Sequence, residues 1–296
     1  MADKTWKGKT GGGVLGQKGI LFLFRLFPLW TMYVVVAVAI VFYLIFAPKG
    51  RNEIYNYLRK QQQFSIFKSL VYTYLNHFYF GQVVVDRFAI YSGLRDKFTV
   101  EVDGQEFFDE LVNNPEAGIM VSAHVGNYEL LGYLVAQQKK VINAIIFGGE
   151  VSVVQAERTK VMDVNHVNMI PVQEDMSHLF AINNALRAGE LVSLTSDRFF
   201  SGTKSNRCHF LNGEASFPLG AFYLAEQYGA KMISVFAMKD GPTHFHVYVR
   251  PVQIDTTLKI GKNERVKLLQ QKYVDMLEDI VKRYPCQWYN FHKFWL

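Results

Sequence analysis

The chain has 296 residues, enough for one large domain or two small ones; half of it is apolar, and it carries 24 Phe and 16 Tyr. Its net charge of +6 is an N-terminal property, because residues 1–70 hold ten Lys and Arg against Asp3 and Glu53, leaving the remainder slightly acidic. That pattern argues against nucleic acid and for anionic lipid headgroups, which attract each juxtamembrane cation by about 1 kcal/mol, while Cys208 and Cys286, without CxxC spacing, exclude a disulfide framework.

The first 18 residues, with Gly11, Gly12 and Gly13 among lysines, read as a basic tail. Next, LWTMYVVVAVAIVFYLIFA at 29–47 runs 19 positions without a charge. At the helical rise it is about 28 Å long, against a hydrocarbon thickness of about 30 Å, so it reads as a membrane helix. The preceding tail is too long and the apolar run too extended for a signal peptide; a helix lying in the interface is the alternative. Basic residues flank both ends and set no orientation. Residues 51–95 interleave Tyr and Phe with Lys and Arg and predict two or three amphipathic helices, packed on the rest of the chain or dipping into the headgroups.

From about residue 98 short apolar runs alternate with helical patterns. Strands are predicted at 117–123, 141–147, 168–172, 190–196, 232–238 and 244–250, and helices near 128–138, 151–163, 175–188 and 217–229. Residues 262–284 form a closing helix with Leu269, Tyr273, Leu277 and Val281 on one face. This alternation predicts an α/β fold, a mixed, largely parallel sheet flanked by helices, whose last two strands close as a hairpin across KDGPT. The segments that follow are 1–50 for tail and anchor, 51–97 for the aromatic-rich amphipathic helices, and 98–296 for the α/β domain.

In such sheets sites form at the carboxyl ends of strands, and His124 directly follows the run 117–123. Glu129 lies five positions on. A continuous helix would set the two side chains about 140° apart, so Gly126 and Asn127 must break the chain into a turn, with Asn127 capping a helix whose first turn holds Glu129. A carboxylate on one imidazole nitrogen fixes the tautomer and leaves the other nitrogen to take a proton, the arrangement that activates a hydroxyl or amine. Core packing or capping is the plain alternative. Asp197 and Arg198 end another strand, where they either converge on the same cleft or form a structural ion pair. Gly213, Pro218 and Gly220 punctuate a loop before a helix and permit close approach. His244 and His246 share one side of a strand but lack a third ligand, so no metal site is predicted.

HVGNYE at 124–129, SDR at 196–198, FLNGEASFPLGAFYLAEQYGA at 210–230 and QWYNFHKFW at 287–295, in this order and at these separations, resemble the lipid A biosynthesis acyltransferase family, whose sandwich is glycerolipid acyltransferase-like. The opening WKGKTGGGVLG resembles the version found in Bacteroidetes-type bacteria. The resemblance implies an enzyme on the cytoplasmic face of the inner membrane, without metal or organic cofactor, that moves a fatty acyl group from an acyl carrier protein thioester to a lipid hydroxyl. It matches His124 to the family's general base, Glu129 to its acidic partner and Asp197 to its second-block acid. Charge places Arg198, Lys204 and Arg207 where they could meet phosphate or the acidic carrier protein. Asn127 and Gly213 complete the substrate-binding candidates. Tyr128 stands where the family has Trp, and Arg198 where it has Gln, which bears on acceptor recognition. The alternatives are another acceptor (an aminolipid or aryl polyene), CoA as donor, a membrane-bound ester or thioester hydrolase, for which no Gly-x-Ser-x-Gly elbow is present, and a non-catalytic lipid-binding protein.

Overall fold

The computed structural model describes residues 27–128, 140–147, 167–173, 175–198, 203–255 and 257–295. The basic tail, Glu129, and the helices expected near 128–138 (beyond Tyr128) and 151–163 lie outside these residues.

Helix α1 (Leu29–Phe46) follows Pro28, and α2 (Pro48–Asn56) begins on a second proline, whose missing N–H costs nothing in a first turn. A π-helical turn, Tyr57–Gln61, continues α2. Helix α3 (Ile66–Tyr91) opens at Ser65, whose Oγ accepts the Lys68 N–H. α2 and α3 fall where the sequence suggested two or three amphipathic helices, and Gly81 within α3 is a contact point: a Cβ there would meet Val36 Cγ1 of α1 at 2.5 Å. Tyr74 also donates its hydroxyl to the Ala37 carbonyl across the same pair. Met32 and Tyr33 of α1 are buried, much of its remaining surface is exposed, including Val35, Val38, Phe42 and Ile45, and the helix is long and apolar enough to cross a membrane.

Five strands run parallel: β2 (Gly118–Ser122), β3 (Ile142–Phe147), β4 (Val167–Val172), β5 (Leu191–Thr195) and β8 (Lys231–Lys239). β9 (His244–Pro251) returns antiparallel to β8, and β1 (Thr99–Asp103) pairs parallel to β9, giving the order β1-β9-β8-β2-β5-β3-β4. The mixed, largely parallel sheet and its closing hairpin match the expectation. Strand β1, helix α4 (Gln105–Asn113) and a separate hairpin of β6 (Ser205–Phe210) and β7 (Gly213–Pro218) were not foreseen.

Both faces of the sheet are covered, which is why β2 is buried at every residue. Ile119 and Val121 pack on one face with α5 (Ser177–Arg187), α6 (Gly220–Tyr228) and α7 (Lys262–Arg283), while Met120 packs on the other with Phe108 and Leu111 of α4 and Ile90 of α3. The N-terminal helices are tied to the sheet by an ion pair, Lys239 Nζ to Asp86 Oδ2 at 2.6 Å, with side chains 1% and 0% exposed. Tyr33 of α1 donates its hydroxyl to the same carboxylate, and Lys239 also donates to the Pro242 carbonyl. Burial pushes the Asp86 carboxyl up and the Lys239 ammonium down, and each charge opposes the other's shift.

Candidate active site

Strands β2 and β5 are parallel neighbours in which Ser122 faces Thr195. Two residues further along each strand's path lie His124 and Asp197. The ladder persists past the strand ends, with Ser196 N–H donating to the Ser122 carbonyl at 2.8 Å, and the Tyr273 hydroxyl of α7 donating to the same oxygen at 2.7 Å. The two side chains are thereby set side by side at the carboxyl edge of the sheet.

Asp197 grips His124 twice. His124 Nδ1 lies 2.7 Å from Oδ1, and the His124 backbone N–H donates to Oδ2 at 3.0 Å. An ionised carboxylate only accepts, so Nδ1 carries the hydrogen and Nε2 is left with a free lone pair in the neutral ring. The Asp197 side chain is 2% exposed and that of His124 17%, so the acid is sealed and the ring is reached from outside. Burial alone pushes the Asp197 carboxyl up; the charge and hydrogen bonds of His124 and the nearby Arg198 guanidinium outweigh it and hold the carboxyl well below the usual carboxylate range.

The turn expected between His124 and the next element is present. Gly126 takes φ +51°, and its N–H donates to the Gln287 carbonyl at 2.8 Å. Asn127 is buried, its N–H bonded to the Ala237 carbonyl at 2.8 Å. The Tyr128 ring stands edge-on to the imidazole at 5.0 Å between centroids.

The sequence reading gave one ring nitrogen to Glu129, which lies outside the described residues; in the structure Nδ1 meets Asp197, which strand register brings in from 73 positions away. Arg198 spends its Nη2 on the Tyr289 carbonyl at 2.8 Å. Lys204 and Arg207 are exposed on and beside β6, and Gly213 sits at the hairpin tip against Trp295 and Gln61. Among the described residues, the hydrogen bonds of His124 and Asp197 go to each other, Trp288 and Tyr289 rather than to these three. His244 bonds Thr99, and His246 stacks on Tyr248 beside Asp240. Among the described residues no group of three or more His, Cys, Asp or Glu converges as a metal site.

Sequence reasoning missed the C-terminal contribution. Trp288 Nε1–H donates to Asp197 Oδ2 at 3.3 Å, and Tyr289 N–H to the His124 carbonyl at 2.9 Å. The only signal was the QWYNFHKFW block itself, to which no role had been given.

The sequence profile described as bacterial lipid A biosynthesis acyltransferase matches residues 77–296. The chain belongs to that family. It is an acyltransferase that acts on lipids. The matched region of this lipid A acyltransferase family member contains His124, Asp197 and Trp288 together. Comparison with curated proteins finds no match. Among solved structures, the crystal structure of the 1-acyl-sn-glycerophosphate (LPA) acyltransferase PlsC from Thermotoga maritima is similar, at 12% identity and a TM-score of 0.41 over 88% of this chain and 99% of that one.

Proposed function

We propose that the chain transfers a fatty acyl group from an acyl carrier protein thioester to a hydroxyl of a lipid A precursor, with His124 as general base and Asp197 as the acid that orients it. The observation that carries this reading is the 2.7 Å contact between His124 Nδ1 and a buried carboxylate, which leaves Nε2 as the proton acceptor. Nε2 takes the proton of the acceptor O–H as its oxygen attacks the thioester carbonyl carbon. The C–S bond then breaks, the ester forms, and the ring returns the proton to the departing thiolate. The ring of Tyr128 stands edge-on beside the imidazole. Ring orientation falls to Asp197, and Glu129→Gln tests whether the family's acid acts beside it.

Helix α1 and the exposed first turn of α3 offer the apolar surface that meets the bilayer, with Lys49 and Lys68 nearby for anionic phospholipid headgroups. On this reading residues 1–50 anchor the enzyme at the cytoplasmic face of the inner membrane, 51–97 dock the anchor, and 98–296 carry the chemistry. Lys204 and Arg207 offer exposed charge to the acidic carrier protein.

The test is a mass-spectrometric assay of purified enzyme in detergent, given acyl carrier thioester with and without lipid A precursor. Gain of one acyl chain on the lipid supports the proposal. Free fatty acid without acylated lipid replaces it with hydrolysis, and transfer only to an aminolipid or aryl polyene changes the acceptor. Absence of turnover with every lipid leaves a binding protein.

A further inference from the structure

The C-terminal segment pairs with the turn that carries the imidazole: Val125 and Trp288 form an antiparallel bridge, and Tyr289 N–H holds the His124 carbonyl. At its centre the Trp288 indole is fully buried and packed edge-on against Tyr57, Phe210, Phe294 and Trp295. Rings on so many sides fix its plane, so its N–H has one direction to point, and it points at Asp197 Oδ2. That oxygen therefore receives two donors, the indole and the His124 backbone N–H, while Oδ1 receives the ring Nδ1. Two donors on one oxygen fix the carboxylate plane, and so the angle at which Oδ1 meets the ring. They also draw negative charge from the carboxylate, which moderates how strongly it favours the imidazolium.

We propose that Trp288 is a positioning residue for acyl transfer, acting on His124 through Asp197; the proposal rests on His124 being the general base. It assigns the terminal aromatic block a role at the reacting centre through a hydrogen bond as well as through packing.

The test replaces the Trp288 indole with its benzothiophene analogue by codon suppression in the full-length enzyme, which keeps the two-ring shape and removes only the N–H. Trp288→Phe and His124→Ala are measured alongside. The analogue enzyme is expected to keep the wild-type circular dichroism and melting profile and the KM of both substrates. Its kcat falls about tenfold, the equivalent of one charge-assisted hydrogen bond, and the acid limb of kcat/KM moves to higher pH because the less-compensated carboxylate favours the imidazolium. A folded analogue enzyme with wild-type kcat and pH profile overturns the proposal; so does a loss confined to KM, or loss of folding in the analogue itself. Wild-type turnover in His124→Ala overturns the general-base reading instead, whereas an inactive His124→Ala beside a normal analogue removes only the role of Trp288.

Discussion

A methyl group on Gly126 would sit 2.0 Å from the Ala237 carbonyl oxygen, at a backbone φ of +51° that L-residues avoid. Gly126→Ala therefore strains the turn and displaces His124 together; a loss of about 1–3 kcal/mol in denaturant melts, with activity falling further than stability, is expected. At the ring itself, His124→Ala should remove about 10²-fold or more of kcat with the fold retained. Asp197→Asn should cost a similar factor, since an amide can donate to Nδ1 and stabilise the wrong tautomer. Asp197 also shapes stability against pH. Its folded-state carboxyl is held low, so its contribution is complete above the ordinary carboxylate range near about 4 and is lost as pH falls through the lower folded value. Denaturant melts from neutral to acid pH should show this slope in the wild type and a reduced one in Asp197→Asn. At this scale the sequence located His124, Asp197 and the turn at Gly126, because each follows a recognisable apolar run or is a glycine. The bond between the first two was hidden, since it depends on which strands become neighbours.

Elements tell a parallel story. The apolar runs of β2, β5 and β8 were legible because strands covered on both faces need hydrophobic residues throughout. β1 was not, because TVEVD is an edge strand half open to solvent, and neither was β6, where SNRCHF alternates exposed polar positions with buried Cys208 and Phe210. The junction of α1 and α3 with β8 was equally silent: Tyr33, Asp86 and Lys239 are far apart in the chain, and nothing local marks them as partners. Their burial makes the junction a sharp test. Lys239→Met leaves the Asp86 carboxylate without its counter-ion and should destabilise the protein by about 3–5 kcal/mol, whereas Lys239→Met combined with Asp86→Leu should recover most of that loss in thermal or denaturant melts.

For the whole molecule, Tyr33 of α1 reaches the carboxyl end of the sheet, the end that carries His124 and Asp197. Pro242, which accepts from Lys239 beside Tyr33, belongs to the β8–β9 turn at the carboxyl end of β8, the end at which His124 follows β2. Val38→Asp and Phe42→Asp, on the exposed side of α1, should shift the protein from membrane to soluble fractions on vesicle flotation, as each charge at a helix centre opposes insertion by about 2.5–3.5 kcal/mol. Unchanged flotation would detach α1 from that role. The register of β2 on β5 has its own consequence. Ser122 opposite Thr195 is what sets His124 beside Asp197. A slip of one position there would carry His124 past the carboxylate and turn the side chains to opposite faces, so this pairing, more than any local motif, sets the geometry of the site.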